Sequence, residues 1–189
     1  MKRYLKLTGG SFTGRKLYVP DIGVRPATNL VREAIFSTLE SMLEDGIRGL
    51  KLLDLFAGTG SLGLEALSRG AESVTFVDNS VASVKSIRKN LELLSFKGQV
   101  IKSDVISFLK RNKSLDYDII FFDPPYKYEK VSEALKLLAE SVSYNKNPVI
   151  VYERAFKKEL PSLDERFCFI KRRKYGQTEV LYYRLNKKT

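Results

Sequence analysis

Histidine is absent from the 189-residue sequence. That excludes a histidine general base, a Ser-His-Asp triad and any His-ligated metal site. The single cysteine, Cys168, excludes a disulfide framework and a Cys-rich zinc site. It stands in the alternating apolar stretch RFCFIK and reads as a buried small hydrophobe rather than a nucleophile. No apolar run approaches the ~18 residues that would span a bilayer. The N-terminus, MKRYLKLTGG, is charged and has no apolar signal core. A cytoplasmic, membrane-free, metal-free protein is the expectation.

What is present is enough for a proper core: 43% of residues are hydrophobic and 11% aromatic. The formal net charge of +11 is unevenly placed. Residues 1–25 carry a net +5 and residues 154–189 a net +7, whereas the stretch between them is close to neutral at −1. Two basic ends around a neutral middle suggest a polyanion footprint more than general solubility.

Two kinds of apolar pattern alternate along the sequence. Short apolar runs, KLLDLF (51–56), SVTFVD (73–78), QVIKSD (99–104), DIIFFDPPY (118–126) and PVIVYE (148–153), read as buried parallel strands. Between them lie helical stretches at 61–70, 82–95, 105–112 and 130–141. This predicts a doubly wound α/β sheet. The rhythm changes after residue 160, where FCFIKRRKYGQTEVLYYRL predicts two strands separated by KYGQT, an antiparallel hairpin. Residues 1–45 predict two short strands, YLKLT and KLYVP, then a helix over NLVREAIFSTLESML capped by Thr28 or Asn29. The division expected is a small extension, 1–45, on one main domain, 46–189.

Two motifs carry chemistry. The first is G-x-G-x-x-G at Gly58, Gly60 and Gly63, between a strand and a helix, with Asp78 twenty residues beyond Gly58. That is the spacing of a nucleotide-binding crevice, in which glycines admit the ligand and the acid accepts ribose hydroxyls. Alone it does not separate NAD, FAD and S-adenosylmethionine (SAM). Asp54, just before the loop, favours SAM: a carboxylate would repel a pyrophosphate but suits an ammonium and a sulfonium. Asp104 is placed either to reach an adenine amine or simply to cap the following helix. Phe56, Ala57, Thr59, Asn79 and Val105, flanking these groups, complete the expected cofactor-binding set.

The second motif is Asp123-Pro124-Pro125-Tyr126, at a strand's C-terminal end, where open α/β sheets bind ligands. Two prolines fix φ and remove two N–H donors, so nearby carbonyls project rigidly. A rigid carbonyl and a carboxylate can accept both hydrogens of an exocyclic amine. That frees the nitrogen lone pair for in-line attack on a methyl group, with no metal or covalent intermediate. Tyr126 offers a face to an unstacked base.

FAGTG with DPPY resembles the Rossmann-like class I SAM-dependent amino-methyltransferases. The flanks narrow the resemblance to the RsmD family: Gly14-Arg15-Lys16-Leu17, then Arg25-Pro26-Ala27-Thr28 with Val31-Arg32-Glu33, LDLFAGTGSLGLEALSRGA, DPPY, and Tyr175-Gly176-Gln177-Thr178, in that order. The resemblance covers about residues 9–185. It implies methylation of N2 of a guanine (the guanine 966 type) in 16S rRNA, on the 30S subunit. It also implies SAM held by Gly58, Gly60, Gly63 and Asp78, and the target base by Asp123, Pro124, Pro125 and Tyr126. Ala27 departs from the family's usual pair of hydroxyls, Thr28 being the retained one. Arg15, Lys16, Arg25, Thr28, Arg32, Arg172, Arg173, Lys174 and Tyr175 are the expected RNA contacts, and a monomer is expected.

Other functions compete for the same motifs. An adenine-N6 methyltransferase would use DPPY equally well, but DNA enzymes of that kind carry a recognition region for which 189 residues leave little room. C5 methylation of a pyrimidine needs a cysteine nucleophile, and Cys168 is badly placed. An NAD-dependent oxidoreductase leaves DPPY and the basic ends unused. A catalytically silent RNA-binding factor would need neither motif intact.

Overall fold

The computed structural model describes residues 5–19, 28–143, 145–156 and 159–186. Five strands, β3 (Lys51–Leu55), β4 (Ser73–Asp78), β5 (Gly98–Lys102), β6 (Ile119–Phe122) and β7 (Val149–Ala155), alternate with α2 (Ser61–Ser68), α3 (Val81–Leu93), α4 (Val105–Arg111) and α5 (Val131–Ser141). They are followed by β8 (Phe167–Tyr175) and β9 (Thr178–Leu185) and preceded by β1 (Leu5–Lys6), β2 (Lys16–Leu17) and α1 (Asn29–Met42). The seven-stranded sheet has the order β5-β4-β3-β6-β7-β9-β8. Its first five strands are parallel, and β9 joins β7 antiparallel with β8 on the outer edge.

The parallel strands are apolar on both faces because helices cover both. Leu52, Phe121, Val151 and Val180 pack with α1, α2 and α3, while Leu53, Leu55, Ile120 and Phe122 pack with α4 and α5. β3 is the switch point: the chain winds outward to β4 and β5 on one side, then returns to β6 on the other. A crevice opens there, at the C-terminal ends of the strands.

The hairpin sequence is paired further than its pattern suggests. The expected KYGQT separator shrinks to Gly176 and Gln177, since β8 runs through Tyr175 and β9 begins at Thr178. Gly176, at φ 60°, allows that two-residue turn. Cys168 is half-buried rather than buried, because β8 is an edge strand with less cover.

The N-terminal segments share the first core: Leu5, Leu7 and Leu17 are buried with Ile35 and Phe36 of α1. Glu65 of α2 fastens them. Its carboxylate accepts from Thr8 N and Oγ1, both at 2.9 Å, from Arg32 Nε at 3.2 Å and from Arg69 Nε at 2.9 Å. Arg32 is therefore no RNA contact. Its side chain is fully buried in this ion pair and also donates to the Lys6 carbonyl and to Asn29 Oδ1. Sequence alone reads it as a surface arginine because the partner is 33 residues away. Arg25 lies outside the described residues.

Candidate functional site

A cleft of about 1090 Å³ lies along the C-terminal edge of the sheet. This is just above the ~300–1,000 Å³ usual for small-molecule sites, so it has room for a cofactor and a base together. The β3–α2 loop forms one wall. Phe56, at φ 62°, and Gly58, at φ 53°, turn the chain sharply, and the Ala57 N–H donates to Val77 O of the neighbouring strand. Phe56, Ala57, Gly58 and Thr59 line the cleft.

The other two glycines shape the loop from behind. A Cβ on Gly60 would stand 2.8 Å from Ile87, and one on Gly63 2.2 Å from Phe76. Gly63 thus permits close helix–strand packing, and its N–H donates to Asp54 Oδ2 at 3.1 Å. Neither residue is among the cleft lining.

Asp78 closes the loop against β4, accepting from Gly58 N at 2.7 Å and Ser80 N at 2.8 Å. Asp104 is the N-cap of α4, accepting from Ser107 N at 2.9 Å, and hydrogen bonds from the Ser107 hydroxyl and then from its amide hold the carboxyl below the usual range. Asn79 and Asp104 are exposed at the rim, and Val105 is buried beneath it. All of these line the cleft.

The second wall carries DPPY. Asp123 follows Phe122, the last residue of β6. It retains partial exposure into the cleft, but protein surrounds it on the sheet side. Burial, then the nearby Glu153 and Asp54 carboxylates, push its pKa well above the ordinary value. Pro124 is buried, and Pro125 and Tyr126 are exposed. The Pro125 carbonyl accepts from Tyr128 N at 2.8 Å, which commits it to the turn. An edge-to-face aromatic series, Tyr128–Phe56–Phe122–Tyr152, braces the two walls from one side.

Burial likewise raises Asp54, 2% exposed, to about 7 despite its Gly63 hydrogen bond. Five carboxylates line the cleft: Asp54, Asp78, Asp104, Asp123 and Glu153. No lysine or arginine does so among the described residues. That donor set fits a ligand bearing ammonium and sulfonium charges and disfavours the pyrophosphate of a dinucleotide.

Glu153, Tyr128, Gln177 and Thr178 were not anticipated as site residues. Glu153 had a legible signal, a carboxylate ending the apolar run PVIVYE just as Asp78 ends SVTFVD. Gln177 and Thr178 reach the cleft only because β9 pairs with β7, setting Thr178 beside Ala155. Thr28, the cap of α1 through Val31 N at 3.3 Å, also lines the cleft.

The remaining basic candidates stand elsewhere. Arg15 and Lys16 are exposed at β2, and Arg172, Arg173 and Lys174 are exposed on the edge strand β8. Arg172 Nε lies 3.5 Å from Glu179, Lys174 Nζ lies 3.4 Å from the Phe156 ring centre, and Tyr175 is half-buried against the first core. No helix among the described residues is long and apolar enough to cross a membrane.

The family model described as Conserved hypothetical protein 95 matches residues 5–184. An Escherichia coli protein named ribosomal RNA small subunit methyltransferase D is 34% identical, covering 95% of this chain and 89% of its own. A solved Escherichia coli structure, described provisionally as a methyltransferase, superposes with TM-score 0.87 at 32% identity, covering 98% of this chain and all of that one. The Thermus thermophilus 16S rRNA N2 G1207 methyltransferase, solved with AdoMet and guanosine, gives TM-score 0.68 at 26% identity, over 98% of this chain and 50% of that one. Glycine loop, acidic cleft and DPPY turn therefore agree with the comparisons: the chain belongs to the Conserved hypothetical protein 95 family, the RsmD family, and is a SAM-dependent rRNA methyltransferase.

Proposed function

We propose that this enzyme methylates the exocyclic N2 of a guanine in 16S rRNA, of the guanine 966 type, with the 30S subunit as substrate. The observation that carries the reading is one cleft holding DPPY on one wall and the glycine loop on the other. SAM supplies an electrophilic methyl group on a sulfonium. The chain's work is to hold and orient. Asp78 and the β3–α2 loop would hold the cofactor, and a cationic ligand beside the buried Asp54 would draw its carboxyl, raised to about 7 by burial, toward the ionised form. Asp123 and the Pro124 carbonyl accept the two amine hydrogens, turning the nitrogen lone pair toward the methyl, while the base lies against Tyr126. On methylation of N2, Asp123 would accept one amine proton and pass it to solvent, the sulfonium serving as the leaving group. Positioning and fixed electrostatics account for the acceleration.

RNA would be held by the extension of residues 1–45 through Arg15 and Lys16, with Thr28 at the cleft, and by Arg172, Arg173, Lys174 and Tyr175 on β8. A monomer suffices, since this one chain supplies both walls. The test is transfer from labelled SAM to 30S subunits lacking the modification, followed by nucleoside digestion. Label in N2-methylguanosine is the expected result. Label in N6-methyladenosine would keep the DPPY chemistry and replace the substrate, whereas no label alongside SAM binding would reject the 30S substrate.

A further inference from the structure

Glu153 is the cleft residue that the mechanism above does not use. It is 8% exposed, and its Oε2 has no hydrogen-bond partner among the described residues. Leaving a buried carboxylate oxygen unpaired is costly, and a ligand that brings a donor removes that cost. Asp54, Asp123 and Glu153 do not form a metal-holding group among the described residues.

Topology says which ligand. The cofactor half of the cleft is built by β5, β4 and β3, through Asp104, Asp78 and the glycine loop. The other half is built by β6, β7 and the β8–β9 turn. Phe122, the last residue of β6, pairs with Tyr152 of β7 at the ~4.8 Å strand spacing, so Asp123 and Glu153 are the next residues beyond that pair. Alternation puts both on the face shared by Phe121 and Val151. Glu153 therefore stands beside the group that holds the amine, on the side away from the cofactor.

We propose that Glu153 reads the target base: its carboxylate accepts the N1–H that guanine presents next to the amine held by Asp123, which admits guanine and rejects adenine. Guanine has a donor at N1, beside N2. Adenine has a lone pair at N1, beside N6, and that lone pair would face a carboxylate across a dry wall. A site built around a hydrogen bond rejects the analogue that cannot make it far more strongly than an apolar pocket could. Burial raises the Glu153 pKa to about 7, and an N1–H donor favours its ionised form. The proposal rests on the methyl-transfer reading above and extends it to base choice.

The test uses 16S rRNA carrying either guanine or 2,6-diaminopurine at the target position, presented naked and reconstituted into 30S subunits. Diaminopurine keeps the 2-amine but has no N1–H. Wild-type enzyme is expected to prefer guanine by ~10-fold or more in kcat/KM. Glu153→Gln, whose amide donates to the N1 lone pair, is expected to shrink that preference ~10-fold. SAM affinity, measured by calorimetry, is expected to stay within ~2-fold of wild type because Glu153 is off the cofactor half. Equal wild-type rates on the two bases would overturn the inference whether or not the variant folds. So would a Glu153→Gln enzyme that binds SAM and keeps the wild-type ratio. Wild-type enzyme inert on guanine in both presentations would instead overturn the methyl-transfer reading, and this inference with it.

Discussion

Asp123 and Asp54 show how position sets the chemistry of one residue type. Asp123 is held beside two rigid prolines, and its carboxylate is aimed at the cleft rather than spent on backbone amides. Asp123→Ala is expected to lower methyl transfer by ~100-fold or more while SAM affinity changes little, as for the loss of one fixed transition-state contact. Single-turnover rates and calorimetry on the same preparation check this. Asp54 differs, being enclosed and raised to about 7 by burial. An unfolded chain would release that proton near the ordinary carboxylate value, so the folded state holds more protons between the two. Stability then falls as pH rises through this window and levels off above it. Melting temperatures from about pH 5 to about pH 8 are expected to decline, and less steeply in Asp54→Asn. Parallel slopes would place Asp54 in a more solvated setting than the fold shows.

The glycine loop and the N-terminal extension show what holds the elements to each other. α2 starts at Ser61 behind Gly60, at φ 73°, so the helix begins without a side-chain cap and Gly63 can lie against Phe76. The same helix carries Glu65, the anchor for Thr8, Arg32 and Arg69. Removing one partner from a buried charge pair leaves the other uncompensated. Glu65→Ala is expected to destabilise the protein by about 3–5 kcal/mol. Denaturant titration reads that loss, and a change below ~1 kcal/mol would show the network to be incidental. These element-level contacts were only half legible in sequence. The strands followed from short unbroken apolar runs, because helices cover both faces of the sheet, and the helices from their 3.6-residue period. Arg32 did not follow, because burial of a charge depends on a distant partner that no local pattern encodes.

Across the whole molecule, charge is segregated: an acidic cleft on one edge, and exposed cations on β2 and on β8. Basic side chains on β8 also guard an open sheet edge against pairing with another chain. Salt dependence separates the two roles. Charge reversal at Arg172, Arg173 and Lys174 together is expected to weaken binding to 30S subunits and to reduce the slope of log K against log salt by ~0.7–0.9 per lost phosphate contact. An unchanged slope would assign β8 to edge protection and place the RNA footprint on the N-terminal segment.

The sequence by itself determined the alternation of strands and helices, the two ligand-binding turns and the family. Each is encoded within a few consecutive residues: apolar period, glycines at fixed spacing, an aspartate before two prolines. Only the tertiary structure decided what those turns face. It set Gly60 and Gly63 behind the loop rather than in the cleft, turned Arg32 inward, and brought Glu153 and Thr178 to the site. Those outcomes depend on which strands pair and which helices cover them, so they arise from contacts between residues far apart along the chain.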